Sequence, residues 1–413
     1  MTLPVDGARR TSTANGRGPV LWLVLAALLG CDAGAASPGA DNAMLPGVPG
    51  ATAGQGASAD GSLPPPMMPG ASAAGAAGSA AGASDTAGAS AAGAGAAAGD
   101  PSVAPPPPQD TPAAPAEPPS PGGIKRIYWL DIVGNGVFTA RSDGSSPMRI
   151  ASALAAPDGV VADDCAGKVY FTNMGSALGG SGLASVQRWD GQSAQTLIAP
   201  SSGINTAKQL ALDVGRGQLY IADREGATIW RSATDGSGLT AMVSGHGFQQ
   251  LVGVAVDPVG DHVYFTDRNG RRVLRMDREL PVGETADSRT DVETLFEAAA
   301  GAMPIDLSLD LDAQQLYLTD RQLGTVQRMG MELPQGQDAG NRTDVEVVLD
   351  GLTEPIGVAV DAAGDQLYVT ELGGSVHRAH LDGSGDEVIA NSGSATGIAV
   401  SALDDLGQPF TCE

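Results

Sequence analysis

Six related tetrapeptides, about 42 to 53 residues apart, constrain this chain more than any other feature in it. They are YWLD from Tyr128, YFTN from Tyr170, YIAD from Tyr220, YFTD from Tyr264, YLTD from Tyr317 and YVTE from Tyr368. The cleanest surrounding unit is residues 253–277, GVAVDPVGDHVYFTDRNGRRVLRMD. In it, short β-branched runs alternate with polar turns rich in Pro, Gly, Asn and Asp, which reads as antiparallel strands. The frame persists around the other copies. An upstream run ends in Asp163, Asp213, Asp257, Asp310 or Asp361. A downstream run carries Arg188, Arg231, Arg275, Arg328 or Arg378, with Thr139 as the exception. Asp-Gly pairs then begin at Asp143, Asp190, Asp235 and Asp382, a favoured tight hairpin turn. A four-stranded unit of this period is a propeller blade. One blade cannot bury both its faces, so six must stack radially around one axis.

On these residues the chain resembles the YWTD family, the class B repeat of low-density-lipoprotein-receptor-type proteins, over roughly its last 290 positions. The resemblance implies an all-β, six-bladed β-propeller. In that family the tetrapeptide is mainly structural, so the likeness implies a fold and no reaction. It also implies that a partner binds the face carrying the inter-blade loops and the loops after each second strand. The chain departs from the pattern in places. Only the first copy keeps Trp, at Trp129, while Asn173 and Glu371 replace Asp, and Leu130 and Ala222 replace Thr.

The N-terminal third is of another kind. Arg9, Arg10 and Arg17 precede an apolar run at residues 19–30, of signal-peptide length and short of a membrane span. Leu28-Leu29-Gly30-Cys31 resembles the lipobox of bacterial lipoproteins, which implies cleavage before Cys31 and lipidation of its thiol. The alternative is an ordinary secretory signal with an incidental cysteine. Residues 1–30 therefore read as a lipoprotein signal peptide. The expected location is the bacterial cell envelope, extracytoplasmic and anchored to a membrane by lipid, with the choice of membrane left open. Residues 31–123 carry the anchor cysteine and then Ala, Gly, Ser and Pro without an aromatic side chain. Such a segment buries too little apolar surface to offset the entropy of ordering. It reads as a long disordered tether, spanning on the order of 50 Å as a flexible coil.

The propeller itself, residues 124–401, begins mid-blade, because no first strand precedes Tyr128. The missing strand is supplied by TGIAVS, Thr396 to Ser401, which matches GVAVD. A C-terminal strand thus closes the ring and removes open sheet edges, leaving residues 402–413 as a tail. With Cys31 lipidated, Cys165 and Cys412 remain, and an exported domain favours their disulfide. Cys165 follows the first strand of blade two and Cys412 lies beyond the first strand of blade one, so both leave on one face.

The formal net charge of −24 excludes nucleic acid as a natural partner, since that needs basic surface. On the candidate binding face, Arg224, Arg268 and Arg321 follow the tetrapeptides of blades three, four and five. An arc of arginines suits a protein or other partner that offers carboxylate or phosphate; local ion pairs are the competing reading. The downstream arginines recur around the ring and read as framework. Two features break the symmetry: an enlarged Gly-rich loop in blade two, residues 174–185, and the blade three to four connection with His246 and Phe248, an anchor of the kind interfaces favour.

No motif calls for a cofactor. Calcium enters through two routes. The matching insertions at residues 279–291 and 332–344 carry Asp287 with Asp291 and Asp338 with Asp344, without EF-hand spacing. A lactonase-type propeller hydrolase, the enzymatic alternative, would hold an axial calcium with Asp158, Asn205, Asp306 and Glu354, near the starts of first strands. No His/Cys/carboxylate cluster or nucleophile elbow supports catalysis otherwise, and His377 with His380 on one blade-six strand read as edge residues. A binding or scaffold module is the leading reading.

Overall fold

The computed structural model describes residues 125–177 and 179–401. The expected signal peptide, the tether and the C-terminal tail lie outside the described residues. Within them, twenty-four strands form six four-stranded antiparallel sheets. Blade four shows the plan, from the axis outward: Leu251–Asp257, His262–Asp267, Arg272–Asp277 and Glu293–Glu297. Blade one is closed as the sequence predicts. Ala395–Ser401 lies innermost and pairs antiparallel with Arg126–Asp131, followed by Gly136–Arg141 and Met148–Ala151.

Each tetrapeptide strand is buried along nearly its whole length, with no exposed alternate face. Neighbouring blades cover both faces, so core clusters form between blades. Tyr264 of blade four, for example, packs with Leu307, Leu316 and Leu318 of blade five. The outermost strands are the most exposed, as in Met148–Ala151 and Glu346–Leu349, where the first two residues of each face solvent.

The tetrapeptide side chains hold the ring together through the backbone. Thr172 accepts the Gly159 N–H at 2.8 Å and donates to the Lys208 carbonyl of the next blade at 2.7 Å. Thr266 does the same with Gly253 and Ile305, and Thr319 with Asp306 and Ile356. Thr370 links Gly357 to Thr396 of the closing strand. Blades one and three, with Leu130 and Ala222, lack this hydroxyl. At the first of these seams Thr396 donates to the Pro157 carbonyl instead, at 3.3 Å. The acid at the fourth position fastens the incoming linker. Asp223 accepts the Asn205 and Thr206 N–H groups, both at 2.8 Å, and Asp267 and Asp320 repeat the arrangement.

The framework arginines sit opposite the tetrapeptide tyrosines, as Arg275 does across from Tyr264. They reach into the following blade: Arg231 to the Arg278 carbonyl, Arg275 to Glu332, Arg328 to the Leu381 carbonyl and Arg378 to the Ser142 carbonyl. The hairpin insertions of blades four and five serve the opposite direction. Arg289 donates to the Met242 carbonyl on the outer strand of blade three, at 2.7 Å, and Arg342 to Leu295 on that of blade four, at 2.8 Å.

Candidate functional site

Inner strands all start at one end of the ring, the end that also carries the inter-blade loops and the turns after each second strand. This is the candidate binding face. At its centre the axis is closed by an apolar cluster, Ile132, Ala156, Met174, Val252, Ile305, Ile356 and Leu372. Below it, the inner strands of all six blades enclose an axial cavity of about 280 Å³.

The three arginines lie beneath this face instead of being displayed on it. Arg224, Arg268 and Arg321 are 1%, 4% and 6% exposed. Arg224 meets Glu225 at 2.5 Å and Arg321 meets Glu354 at 2.6 Å. Arg224 and Arg268 also act on a group that the sequence did not single out, Lys208, which is buried and paired with Asp158. Burial holds the Lys208 ammonium below its usual range, with the two arginines adding to this, while Asp158 opposes them. A residue following the tetrapeptide reads as a loop position in sequence. In the ring, adjacent blades and the blade-two loop close over it.

That loop leans toward blade three, where the Gly180 N–H donates to Thr206 Oγ1 at 2.9 Å, and it leaves Leu183 exposed. On the blade three to four connection, His246 is exposed and its ring lies 5.4 Å from that of Phe248. Phe248 is half-buried and packs edge-on against Phe265 at 5.7 Å, so much of its apolar surface is already committed to the blade core.

The proposed axial ligands have other partners. Asp158 pairs with Lys208 and Glu354 pairs with Arg321, while Asn205 is fixed through its backbone N–H, which donates to Asp223. Asp306 Oδ2 accepts the Val358 N–H at 3.2 Å, and burial pushes its carboxyl up to about 8. A lysine ammonium stands where a metal would need oxygen ligands. Among the described residues, no group of three or more His, Cys, Asp or Glu is placed to hold a metal ion. The insertion acids are likewise engaged in their own loops: Asp291 with Arg289, Asp344 with Arg342, Asp287 with Thr285, and Asp338 with the Gly340 and Asn341 N–H groups.

The blade-six histidines differ from each other. His380 is an exposed neighbour of Asp365, but His377 is buried between Glu371 and Asp386, because the longer Glu at the tetrapeptide's fourth position reaches across to it. Cys165 is half-buried in the turn after the blade-two inner strand and is disulfide-bonded. Cys31 and Cys412 lie outside the described residues. The neighbouring Asp164 accepts the Ser401 hydroxyl, which brings the end of the closing strand to this turn.

Sequence reasoning did not single out Lys208, Gln209 or the Glu371–His377 contact. A signal for Gln209 existed. The third position of the inner strand is glycine in four blades, Gly159, Gly253, Gly357 and Gly397, but Gln209 in blade three and Asp306 in blade five.

A ring of six four-stranded blades, stitched by tetrapeptide hydroxyls and carboxylates and without a catalytic cluster among the described residues, defines a YWTD-type propeller. The chain belongs to the low-density-lipoprotein-receptor-related family of such propellers. It is 33% identical over 298 residues to low-density lipoprotein receptor-related protein 1 of Pyricularia oryzae, covering 64% of this chain and 91% of that one. It is 30% identical over 250 residues to the 3-hydroxyacyl-CoA dehydrogenase-like protein LAM1 of Cochliobolus heterostrophus, but spans only 52% of that protein's length. Among solved structures, a chain of the nidogen/laminin complex shares the fold with a TM-score of 0.54 at 18% identity, covering 68% of this chain and 98% of that one. No protein-family profile matches the chain.

Proposed function

We propose that this protein is a lipid-anchored, extracytoplasmic propeller of the bacterial cell envelope that holds a protein partner on its inter-blade-loop face. Kinship with receptor-related propellers supports a binding role, and a neighbour in fold was solved in a complex of nidogen and laminin. The Cys31 motif and the long Ala-, Gly-, Ser- and Pro-rich segment after it support the anchor and tether.

The observation that carries the reading is how the two faces differ. Exposed acids such as Asp143, Asp261, Asp277, Asp312, Asp365 and Asp382 gather at hairpin turns on the opposite face. The inter-blade-loop face lacks such a ring of acids and exposes Val133, Leu183 and Leu323, between 43% and 52% accessible, among Gly, Ala and Ser. Arg224, Arg268 and Arg321 are buried beneath it, and its exposed charges, among them Arg271, Glu225 and Asp350, are of both signs. A face of mixed charge with scattered apolar anchors suits a protein surface better than a free anion.

Site-specific photo-crosslinkers at Leu183 and Leu323, compared with Val259 and Val282 on the acidic side, test this in the native host. Capture of one protein from the first pair only is the expected result. Equal capture from both faces would overturn the assignment.

A further inference from the structure

The axial cavity ends, at the loop face, in two side chains that break the sixfold pattern. Glycine stands at the third inner-strand position in four blades because the strands converge there. A Cβ added at Gly159, Gly253 or Gly357 would lie only 2.6, 2.5 or 2.6 Å from a carbonyl oxygen of the next inner strand. Gln209 and Asp306 occupy the same position in blades three and five, and both line the cavity. A packing need common to every blade cannot explain them, since four blades meet it with glycine.

Both side chains are more than nine-tenths buried, Gln209 at 4% exposed and Asp306 at 6%. Gln209 Nε2 has no hydrogen-bond partner among the described residues. Leaving such a donor unsatisfied costs roughly 1–3 kcal/mol, a cost that a bound acceptor removes. Asp306 and Ser308 accept the inward Val358 and Val360 N–H groups, so that wall is already satisfied. The rest of the lining is supplied largely by Val, Leu, Ile and Ala of the inner strands, down to the exposed Val214.

We propose that this cavity binds a small monocarboxylate, its carboxylate held at the closed end by Gln209 and Asp306 and its short apolar chain lying along the axis toward Val214. The donor inventory favours an anionic acceptor over an amine. Gln209 offers an unused N–H. Burial pushes the Asp306 carboxyl up to about 8, toward the protonated form that donates in turn. A volume of about 280 Å³ falls just below the usual range for drug-sized ligands, roughly 300–1,000 Å³, so the ligand is short.

The full-length protein is titrated calorimetrically with hexanoate, and with hexylamine and hexanol as comparison probes. The expected result is binding of hexanoate ahead of both. Gln209→Gly and Asp306→Gly install the residue that four blades already carry. Gln209→Gly should melt as the parent does and Asp306→Gly earlier, because it orphans the Val358 N–H, and each should weaken hexanoate by about tenfold or more, the loss of a hydrogen bond to a charged group. Asp306→Asn keeps a donor and should retain binding, and Gln209→Glu, which keeps the shape but removes the donor, should not. These two variants decide the matter if either glycine variant melts early. Absence of hexanoate binding, a preference for hexylamine, or undiminished binding in Gln209→Glu would overturn the proposal.

Discussion

At His377 one imidazole lies between two carboxylates, with Nε2 3.1 Å from Glu371 and Nδ1 3.0 Å from Asp386. The hydrogen bond to Glu371 raises its pKa above the usual histidine value; burial works against this, and Asp386 adds to it. Burial alone would raise Glu371, but His377 and the Thr353 N–H outweigh it and hold that carboxyl low. The signs follow from linkage. The raised histidine contributes stability that is fully present below about pH 6.5 and is lost as pH rises through its folded pKa. The lowered carboxylate contributes stability that is present above about pH 4.5 and is lost as pH falls through its folded pKa. Between these limits the cluster is worth most. His377→Gln should therefore cost about 1.5–3 kcal/mol near pH 5.5, as expected for a charge-assisted hydrogen bond, and the gap should narrow toward pH 9. Thermal melts of both proteins across that range check it; a gap that widens with pH would show that the imidazole sits there neutral. None of this was legible in the sequence, where Glu371 reads as a conservative replacement for Asp. The side chain's extra methylene, which lets it reach His377, has no signature in the repeat pattern. The arginines after the tetrapeptides could be read from sequence as a displayed arc or as local pairs, and they are buried, with Arg224 on Glu225 and Arg321 on Glu354. Position in a turn says nothing about what the next blade lays over it.

The elements were far more legible, because each blade solves the same problem with the same few residues. The tetrapeptide's third and fourth side chains serve backbone groups that every blade presents, so they recur and can be counted. The seams differ where the sequence departs from the pattern, as at Leu130 and Ala222. The closing strand carries an unusual share of the seams it touches. Thr396 accepts through its carbonyl from Thr370 of blade six and donates through its hydroxyl to Pro157 of blade two, so Ala395–Ser401 ties three blades together. A chain ending at Asn391 would lose the pairing with Arg126–Asp131 and leave edges open to association. Such a chain is expected to aggregate or melt well below the parent without a cooperative transition. Cooperative melting at the parental temperature would mean that the ring does not depend on its last strand. The insertions of blades four and five were legible as a duplicated pair but not in purpose. Read as acidic loops, they suggested calcium; in the ring, Arg289 and Arg342 use them to clamp the outer strand of the preceding blade.

For the whole molecule, the three cysteines decide between two arrangements of the proposed anchor, the ring and the tail. The chain has three cysteines, and Cys165 is disulfide-bonded, which leaves Cys31 or Cys412 as its partner within the chain. The two pairings have opposite consequences. Joined to Cys412, Cys165 would fasten the segment beyond Ser401 across to blade two and reinforce closure, by roughly 2–4 kcal/mol, while leaving the Cys31 thiol free for lipid. Joined to Cys31, it would consume the thiol that the lipobox likeness requires and leave the protein without an anchor. The Ser401 contact with Asp164, next to Cys165, favours the first. From Ser401 to Cys412 the chain spans at most about 36 Å at roughly 3.3 Å per residue, and needs only a fraction of that to reach the adjacent blade. Peptide mass spectrometry of the unreduced protein from the membrane fraction should find the Cys165 peptide linked to that of Cys412, and Cys31 as an acylated N-terminus. A Cys31–Cys165 link would sink both the anchor and the tail latch in one measurement. Cys31→Ala should release the protein from membranes without changing its melting temperature, whereas Cys412→Ala should lower that temperature and leave the protein bound.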